Sequence, residues 1–311
     1  MKHLCIINPM AGQTKGQVDK LVNEINAFFT ANPSMNYQIH VTRWKRDASG
    51  FAMRYASNAS EIVRVYAFGG GGTLFEIING VIGLPNVQVA YYPLGEENGI
   101  LCAFGDHPYD AFKSLGNLSL SPVITIDTIL AGNHHFISNA MIGFEAASYQ
   151  LGKKLSEQFK LPLNCAYFVA GLYHIFIKKE SRYYNVEVDG VEMNGDYIGF
   201  FVGNISCHGY GTNAPAPEAK FDDGYLDLYT LKQVPFKKIF WAIKDYQAGC
   251  YDKWPEYFNH YRCKKVKISS PAIMTISTDG ELFYAVELNF KIHPYSLNFV
   301  CPWGCYKKSH A

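Results

Sequence analysis

The chain has 311 residues, 48% hydrophobic and 18% charged, which is a globular composition and not a disordered one, long enough for two domains or one large one. Lys and Arg total 28 against 27 Asp and Glu, for a net charge of +1, and no basic run exceeds three residues, so no bulk field points to nucleic acid. The eight cysteines are irregularly spaced, without a zinc-type tandem pattern; Cys301 and Cys305 read as free thiols, and the set as the reduced cysteines of a cytoplasmic protein.

The N-terminus, MKHLCIINPMAG, is too short in its apolar part for a signal peptide. His3 to Asn8 is predicted as a strand that ends at Pro9 and Gly12. Gln17 to Phe29 carries apolar residues at helical spacing. Tyr37 to Thr42 is a second strand, and Asp47 to Ser57 a second helix with Asp47 as its cap. Arg64 to Phe68 is a third strand, broken by Gly69 to Gly72, after which Thr73 to Val81 reads as a helix. Val87 to Tyr92 is a fourth strand. This alternation predicts parallel pairing and an α/β domain.

Near residue 122 the pattern changes to successive strands: Val123 to Leu130, His135 to Ser138, Tyr184 to Val188, Ile198 to Asn204, Tyr225 to Leu231, Val266 to Ser270, Met274 to Thr278 and Phe283 to Phe290. Asp-Gly turns at 189–190, 223–224 and 279–280 separate several of them. The expectation is an antiparallel, sandwich-like domain interrupted by helices over about Glu145 to Lys178 and Phe236 to Gln247. Leu161 to Ile177 is apolar but short of a membrane span and holds Pro162, Asn164 and His174, so it reads as a buried or half-buried helix.

Three glycine-bearing turns follow strands of the first domain: NPMAG at 8–12, GGGGT at 69–73 and PLGEENG at 93–99. Ligands of open parallel sheets sit beyond the carboxyl ends of strands. Four consecutive glycines remove every side chain, so a phosphate can meet backbone N–H groups at the start of a helix. A tight turn with nothing bound is the plainer alternative.

These turns resemble the signatures of the diacylglycerol kinase catalytic domain family, which includes bacterial lipid kinases and the sphingosine and ceramide kinases. The family motifs N-P-x-x-G, G-G-D-G-T-x-x-E-x-x-N-G and P-x-G-T-x-N-D stand here as NPMAG, GGGGTLFEIING and PLGEENG. Downstream, Ile126-Asp127, FISNAMIGFEA, APEAKFDDGYLDL and Thr278-Asp279-Gly280-Glu281 extend the resemblance to about residue 285. The implied fold is α/β plus β. A Rossmann-like nucleotide-binding domain with a parallel sheet covers 1–122, joined by a returning C-terminal strand (about 294–311, with Tyr295 to Cys301 its candidate). An antiparallel β-sandwich lipid-substrate domain covers 123–293, and the active site lies in the cleft between them.

The implied activity is transfer of the γ-phosphoryl of ATP, with Mg2+, to the hydroxyl of diacylglycerol or a similar lipid. By the same resemblance Gly69, Gly70, Gly71, Gly72, Thr73, Leu74 and Phe75 cradle the nucleotide. Asn8, Pro9 and Thr42 line its pocket, with Glu76, Glu96, Asn98 and Asp127 in the surrounding polar network. Glu281 is the base that takes the hydroxyl proton. Asp223, with the backbone carbonyls of Lys220 and Tyr225, holds a metal in the sandwich. Plain Asp-Gly turns are the alternative at Asp223 and Glu281. Glu76 and Asn79 share one face of the helix after the glycine loop. Aromatics of the second domain could line an acyl cleft. FKKIFWAIKDY at 236–246 suits transient contact with an anionic membrane surface, or an amphipathic core helix. An edge strand of either sheet could pair across a homodimer.

The chain departs from the family pattern where the nucleotide is expected. The loop Asp is Gly71, the Thr of the third turn is Glu96, and the Asp after Asn98 is Gly99. One preorganised charged group removed commonly costs ~10²–10³ in rate. Either Glu96 or Glu97 supplies the lost charge, or the chain is a non-catalytic relative that binds nucleotide or lipid as a sensor or partner. A third reading, an NAD-kinase-like or phosphofructokinase-like enzyme with a similar loop, ranks last, because the NAD kinase G-S-T-A-Y type segment is absent.

Overall fold

Short apolar runs and helical periods alternate through the first third of the chain. They give β1 (Lys2–Ile7), α1 (Val18–Thr30), β2 (Asn36–Val41), α2 (Asp47–Ser57), β3 (Val63–Gly69), α3 (Gly71–Val81) and β4 (Val87–Pro93). The structure is a computed structural model that describes residues 1–12, 16–95, 99–105, 108–178, 181–206, 216–279 and 281–306. β1 pairs in parallel with both β2 and β3, and β3 with β4. β3 is buried at every position, as a parallel strand covered on both faces requires. Leu21, Ile25 and Phe29 are the face that α1 turns onto this sheet. Asp47 opens α2 but does not cap it. The N-cap is Arg46, in left-handed conformation, and the Asp47 carboxylate turns back to the Arg43 N–H and His40.

Two short helices, α4 (Pro108–Phe112) and α5 (Leu115–Leu120), lead into β5 (Val123–Ala131), β6 (His134–Phe136) and β7 (Asn139–Gly143). The predicted helical stretch after 145 is two helices, α6 (Phe144–Phe159) and α7 (Leu163–Tyr173), closed by a π-turn at His174–Lys178. Pro162 separates them, since it cannot donate into a continuing helix. Then come β8 (Arg182–Val188), β9 (Val191–Glu192), β10 (Gly195–Tyr197), β11 (Gly199–Gly203) and β12 (Leu226–Leu231). A single 3-10 turn at Phe236–Lys238 starts α8 (Ile239–Gln247). The chain ends in β13 (Phe258–Cys263), β14 (Lys265–Thr278) and β15 (Glu281–Val300). No described helix is long and apolar enough to cross a membrane.

The main sheet runs through the whole molecule in the order β13-β12-β11-β7-β14-β15-β4-β3-β1-β2. The 20-residue β15 makes this continuity: its first half pairs antiparallel with β14, and Phe299 pairs in parallel with Val89 of β4. The two runs predicted at 266–270 and 274–278 are thus one strand with a register shift, at Pro271, that a proline-bearing bulge explains. β15 shifts register between His293 and Leu297, where Pro294 is followed by Tyr295 at φ 49°. One core fills the parallel half and includes Phe104, Leu297 and Phe299. A second lies under β8, β11 and β14, and a third under α8 and β12.

Candidate active site

β3 delivers its C-terminal end to the glycine run. A Cβ at Gly69 would stand 2.3 Å from the Thr73 hydroxyl oxygen, so this position admits no side chain. Gly70 is the extended N-cap and α3 begins at Gly71, inside the run and two residues before the predicted start. The first N–H groups of a helix have no intrahelical acceptor and favour an anion. The hydroxyl of buried Thr73 accepts from the Asn8 side-chain amide at 3.0 Å, which ties the first turn to the glycine loop.

The β14–β15 turn closes over this loop. The half-buried Asp279 carboxylate accepts from the N–H groups of Ile137 and Ser138 and from the Ser138 hydroxyl. Burial pushes its pKa up, against these hydrogen bonds. So anchored, the turn lays its Asp279 carbonyl 3.1 Å from where a Cβ of Gly71 would be. It also sets a Glu281 carboxylate oxygen 3.3 Å from the same point at Gly72. The other Glu281 oxygen pairs with the Lys45 ammonium at 2.8 Å.

Lys45 belongs to the segment between β2 and α2. That segment is pinned by Asp47 at Arg43 and by Glu76, which accepts from the Arg46 N–H at 2.9 Å. Asn79, one turn on in α3, hydrogen-bonds the backbone of His135 in both directions, clamping α3 to β6.

A cavity of about 1430 Å³ opens at this junction. Asn8, Pro9, Thr42, Gly70, Gly71, Gly72, Thr73, Leu74, Glu76 and Glu281 all line it, so these expected site residues share one space. Gly69 lies behind them as the end of β3. Phe75 turns the other way, into the second core, 6.0 Å from the Phe283 ring. Glu96 and Asn98 lie outside the described residues. Arg43, Trp44 and Lys45, beyond the Thr42 that the sequence predicts, also line the cavity. A basic segment at the carboxyl end of a parallel strand was the available signal.

Asp127 is not in this cavity. It is fully buried at the β5–β15 junction, where it accepts 2.7 Å bonds from the N–H groups of Gly224 and Tyr295. Asp223, Lys220 and Tyr225 are also outside the lining. The Asp223 carboxylate accepts from the Tyr225 N–H and pairs with the Arg262 guanidinium at 2.9 Å. A guanidinium therefore stands where a cation was expected. Among the described residues no group of three or more His, Cys, Asp or Glu could hold a metal ion. Cys301 and Cys305 are free, as are Cys5, Cys165, Cys250 and Cys263.

From the glycine loop the cavity continues between α6, α7 and α8 into a chamber lined by Leu163, Tyr167, Leu172, Ile175, Ile239 and Ile243. It therefore joins a helix start of the kind that favours an anion, a carboxylate and a lysine to an apolar space.

Comparison with known proteins gives the family. Residues 2–131 match the model of the diacylglycerol kinase catalytic domain, and residues 139–301 that of the YegS C-terminal NAD kinase beta sandwich-like domain. A protein of Shewanella frigidimarina named "Probable lipid kinase YegS-like" is 27% identical over 253 residues, 79% of each chain. A protein of Staphylococcus aureus named "Diacylglycerol kinase" is 26% identical over 226 residues, 72% of this chain and 70% of that one. The crystal structure of a diacylglycerol kinase from Bacillus anthracis superposes with a TM-score of 0.68 over 98% of each chain, at 22% identity, a likeness of fold. With the glycine loop in the first matched region and the turn of Asp279 in the second, this chain belongs to the lipid kinase family that joins a diacylglycerol kinase catalytic domain to a YegS-type C-terminal domain.

Proposed function

We propose that this chain transfers the γ-phosphoryl of ATP to the hydroxyl of a lipid alcohol, diacylglycerol or one similar to it. The observation that carries the reading is the position of Glu281. Its carboxylate lies over the bare start of α3, in a cavity that runs on into an apolar chamber. The N–H groups at the start of α3 receive phosphate. Lys45, mostly exposed, exchanges its ion pair with Glu281 for the γ-phosphate. Glu281 then takes the acceptor's proton while the hydroxyl oxygen bonds to the γ-phosphorus. The bond from that phosphorus to the bridging oxygen breaks, and ADP leaves with the electron pair. Magnesium, if carried by the nucleotide's phosphates, would spread their charge and would need few protein ligands.

The lipid enters across the face formed by α7, α8 and their flanks. Ile177 (69% exposed), Phe236 (76%) and Phe240 (72%) stand out there among Lys178, Lys237, Lys238 and Lys244. Apolar tips ringed by lysines suit an anionic bilayer. Phe168 belongs both to this exposed face and to the cavity wall, so the surface is continuous with the chamber.

The test is magnesium-dependent transfer of labelled γ-phosphate from ATP to a panel of lipid alcohols. Wild type, Glu281→Ala and Gly71→Asp are run together. Turnover by wild type that falls ~10²–10⁴-fold in Glu281→Ala supports the kinase reading. Wild type inert on every lipid, with activity appearing in Gly71→Asp, overturns it in favour of a relative that binds without catalysis.

A further inference from the structure

The apolar chamber is not uniformly apolar. Gly143, at φ 79°, turns β7 directly into α6, and a Cβ there would meet the Ile198 carbonyl oxygen at 2.6 Å. That tight turn places Glu145 and Ser148, three residues apart on one face of α6, in the chamber wall. Both are buried, at 8% and 1% exposure. One Glu145 oxygen accepts from the Tyr246 hydroxyl of α8 at 2.6 Å. The other Glu145 oxygen and the Ser148 hydroxyl have no hydrogen-bond partner. Buried polar atoms in native proteins are nearly always partnered, so two such atoms side by side on a cavity wall need an occupant. Burial also raises the Glu145 pKa to about 7, so near neutral pH its carboxyl can donate as well as accept.

We infer that Glu145 and Ser148 form a hydrogen-bonding subsite for a second polar group, a hydroxyl, carried on the chain of the lipid substrate. A hydroxyl can donate to the open Glu145 oxygen and accept from Ser148. The register sets its depth. Ala140 of β7 lies opposite Thr278, which lies opposite Glu281 across the turn. From Ala140 to Gly143 is three strand residues, about 10 Å at ~3.3 Å per residue. The subsite is therefore too deep for the group being phosphorylated and falls along the acyl chain. This rests on the reading of the chamber as a lipid site, and it selects hydroxylated chains within that class.

The experiment measures binding separately from transfer. Tryptophan fluorescence titrations use monoacylglycerols with a stearoyl chain and with hydroxystearoyl chains of varied hydroxyl position. Wild type is expected to bind at least one hydroxylated chain about 10-fold or more tightly than stearoyl, since a site built for a hydroxyl rejects the analogue lacking it. Ser148→Ala and Glu145→Leu should each abolish the preference, Glu145→Leu also binding stearoyl more tightly. Ser148→Ala removes one atom and keeps the test valid if Glu145→Leu fails to fold. Equal affinity for all chains, or a preference unchanged in Ser148→Ala, overturns the subsite. Selective binding without phosphoryl transfer would leave the subsite standing and remove the kinase reading. Transfer without selectivity would do the reverse.

Discussion

Single carboxyl groups carry much of this molecule, and their surroundings assign them different work. Glu281 has a lysine partner and faces the glycine loop, whereas Glu145 has only a tyrosine hydroxyl and low-dielectric walls. The raised Glu145 pKa has a consequence for stability. The folded state holds this proton up to about pH 7, while the unfolded chain releases it near its ordinary value of 4.5. The folded state thus binds more protons between those limits, and stability falls as pH rises through them. Glu145→Gln should be more stable than wild type by a margin that grows from pH 4.5 to pH 7, reaching on the order of 3 kcal/mol. Urea denaturation across that range measures it; a margin independent of pH would refute the assignment.

At the scale of elements, the connections decide what each strand can present. β15 passes from one half of the molecule to the other through its register shift at 293–297. Asp127 holds that crossing by accepting from the Tyr295 N–H, and its second oxygen fixes the Gly224 turn. Burial raises its pKa against those two bonds, which mark it as a structural carboxylate. Asp127→Ala removes from a buried position the acceptor of two partly buried backbone hydrogen bonds and should cost about 1–3 kcal/mol in denaturant unfolding. The KM for ATP should not change in the folded variant. A raised KM at unchanged stability would return Asp127 to the nucleotide network.

For the whole molecule, the cavity exists because the parallel half and the antiparallel half meet along one sheet. The β14–β15 turn is delivered by the second half onto the loop of the first. The same meeting places α7 and α8, with their exposed aromatics, at the chamber. Replacing Phe240 and Trp241 by serine should weaken binding to vesicles containing anionic phospholipid by at least about 10-fold, each ring contributing ~1.5–3 kcal/mol when buried. Sedimentation with vesicles at two salt concentrations reads both the apolar and the lysine contributions. Unchanged vesicle binding, with a dimer that disappears in the variant, would assign this face to a second copy of the chain.

The sequence by itself determined the alternation of strands and helices, the parallel first half, the succession of antiparallel strands, and the strand at 295–301 that returns to the first half. These are local in origin: apolar period, glycine and proline breaks, and the family motifs are written in contiguous residues. It also named much of the cavity's lining around the glycine loop: glycine turns at strand ends are legible from spacing, and the family resemblance supplied Asn8, Pro9, Thr42, Glu76 and Glu281. What it could not determine depended on pairing across long separations. Phe75 and Glu76 are neighbours in sequence, yet helical geometry sends one into a core and the other to the cavity. Asp127 and Asp223 look like site residues by motif, and only the fold supplies the backbone N–H groups and Arg262 that occupy them. Lys45 and Glu281 are 236 residues apart, and Glu145 meets Tyr246 across 101. Only tertiary structure brings such partners together, because burial and hydrogen bonding depend on which elements meet.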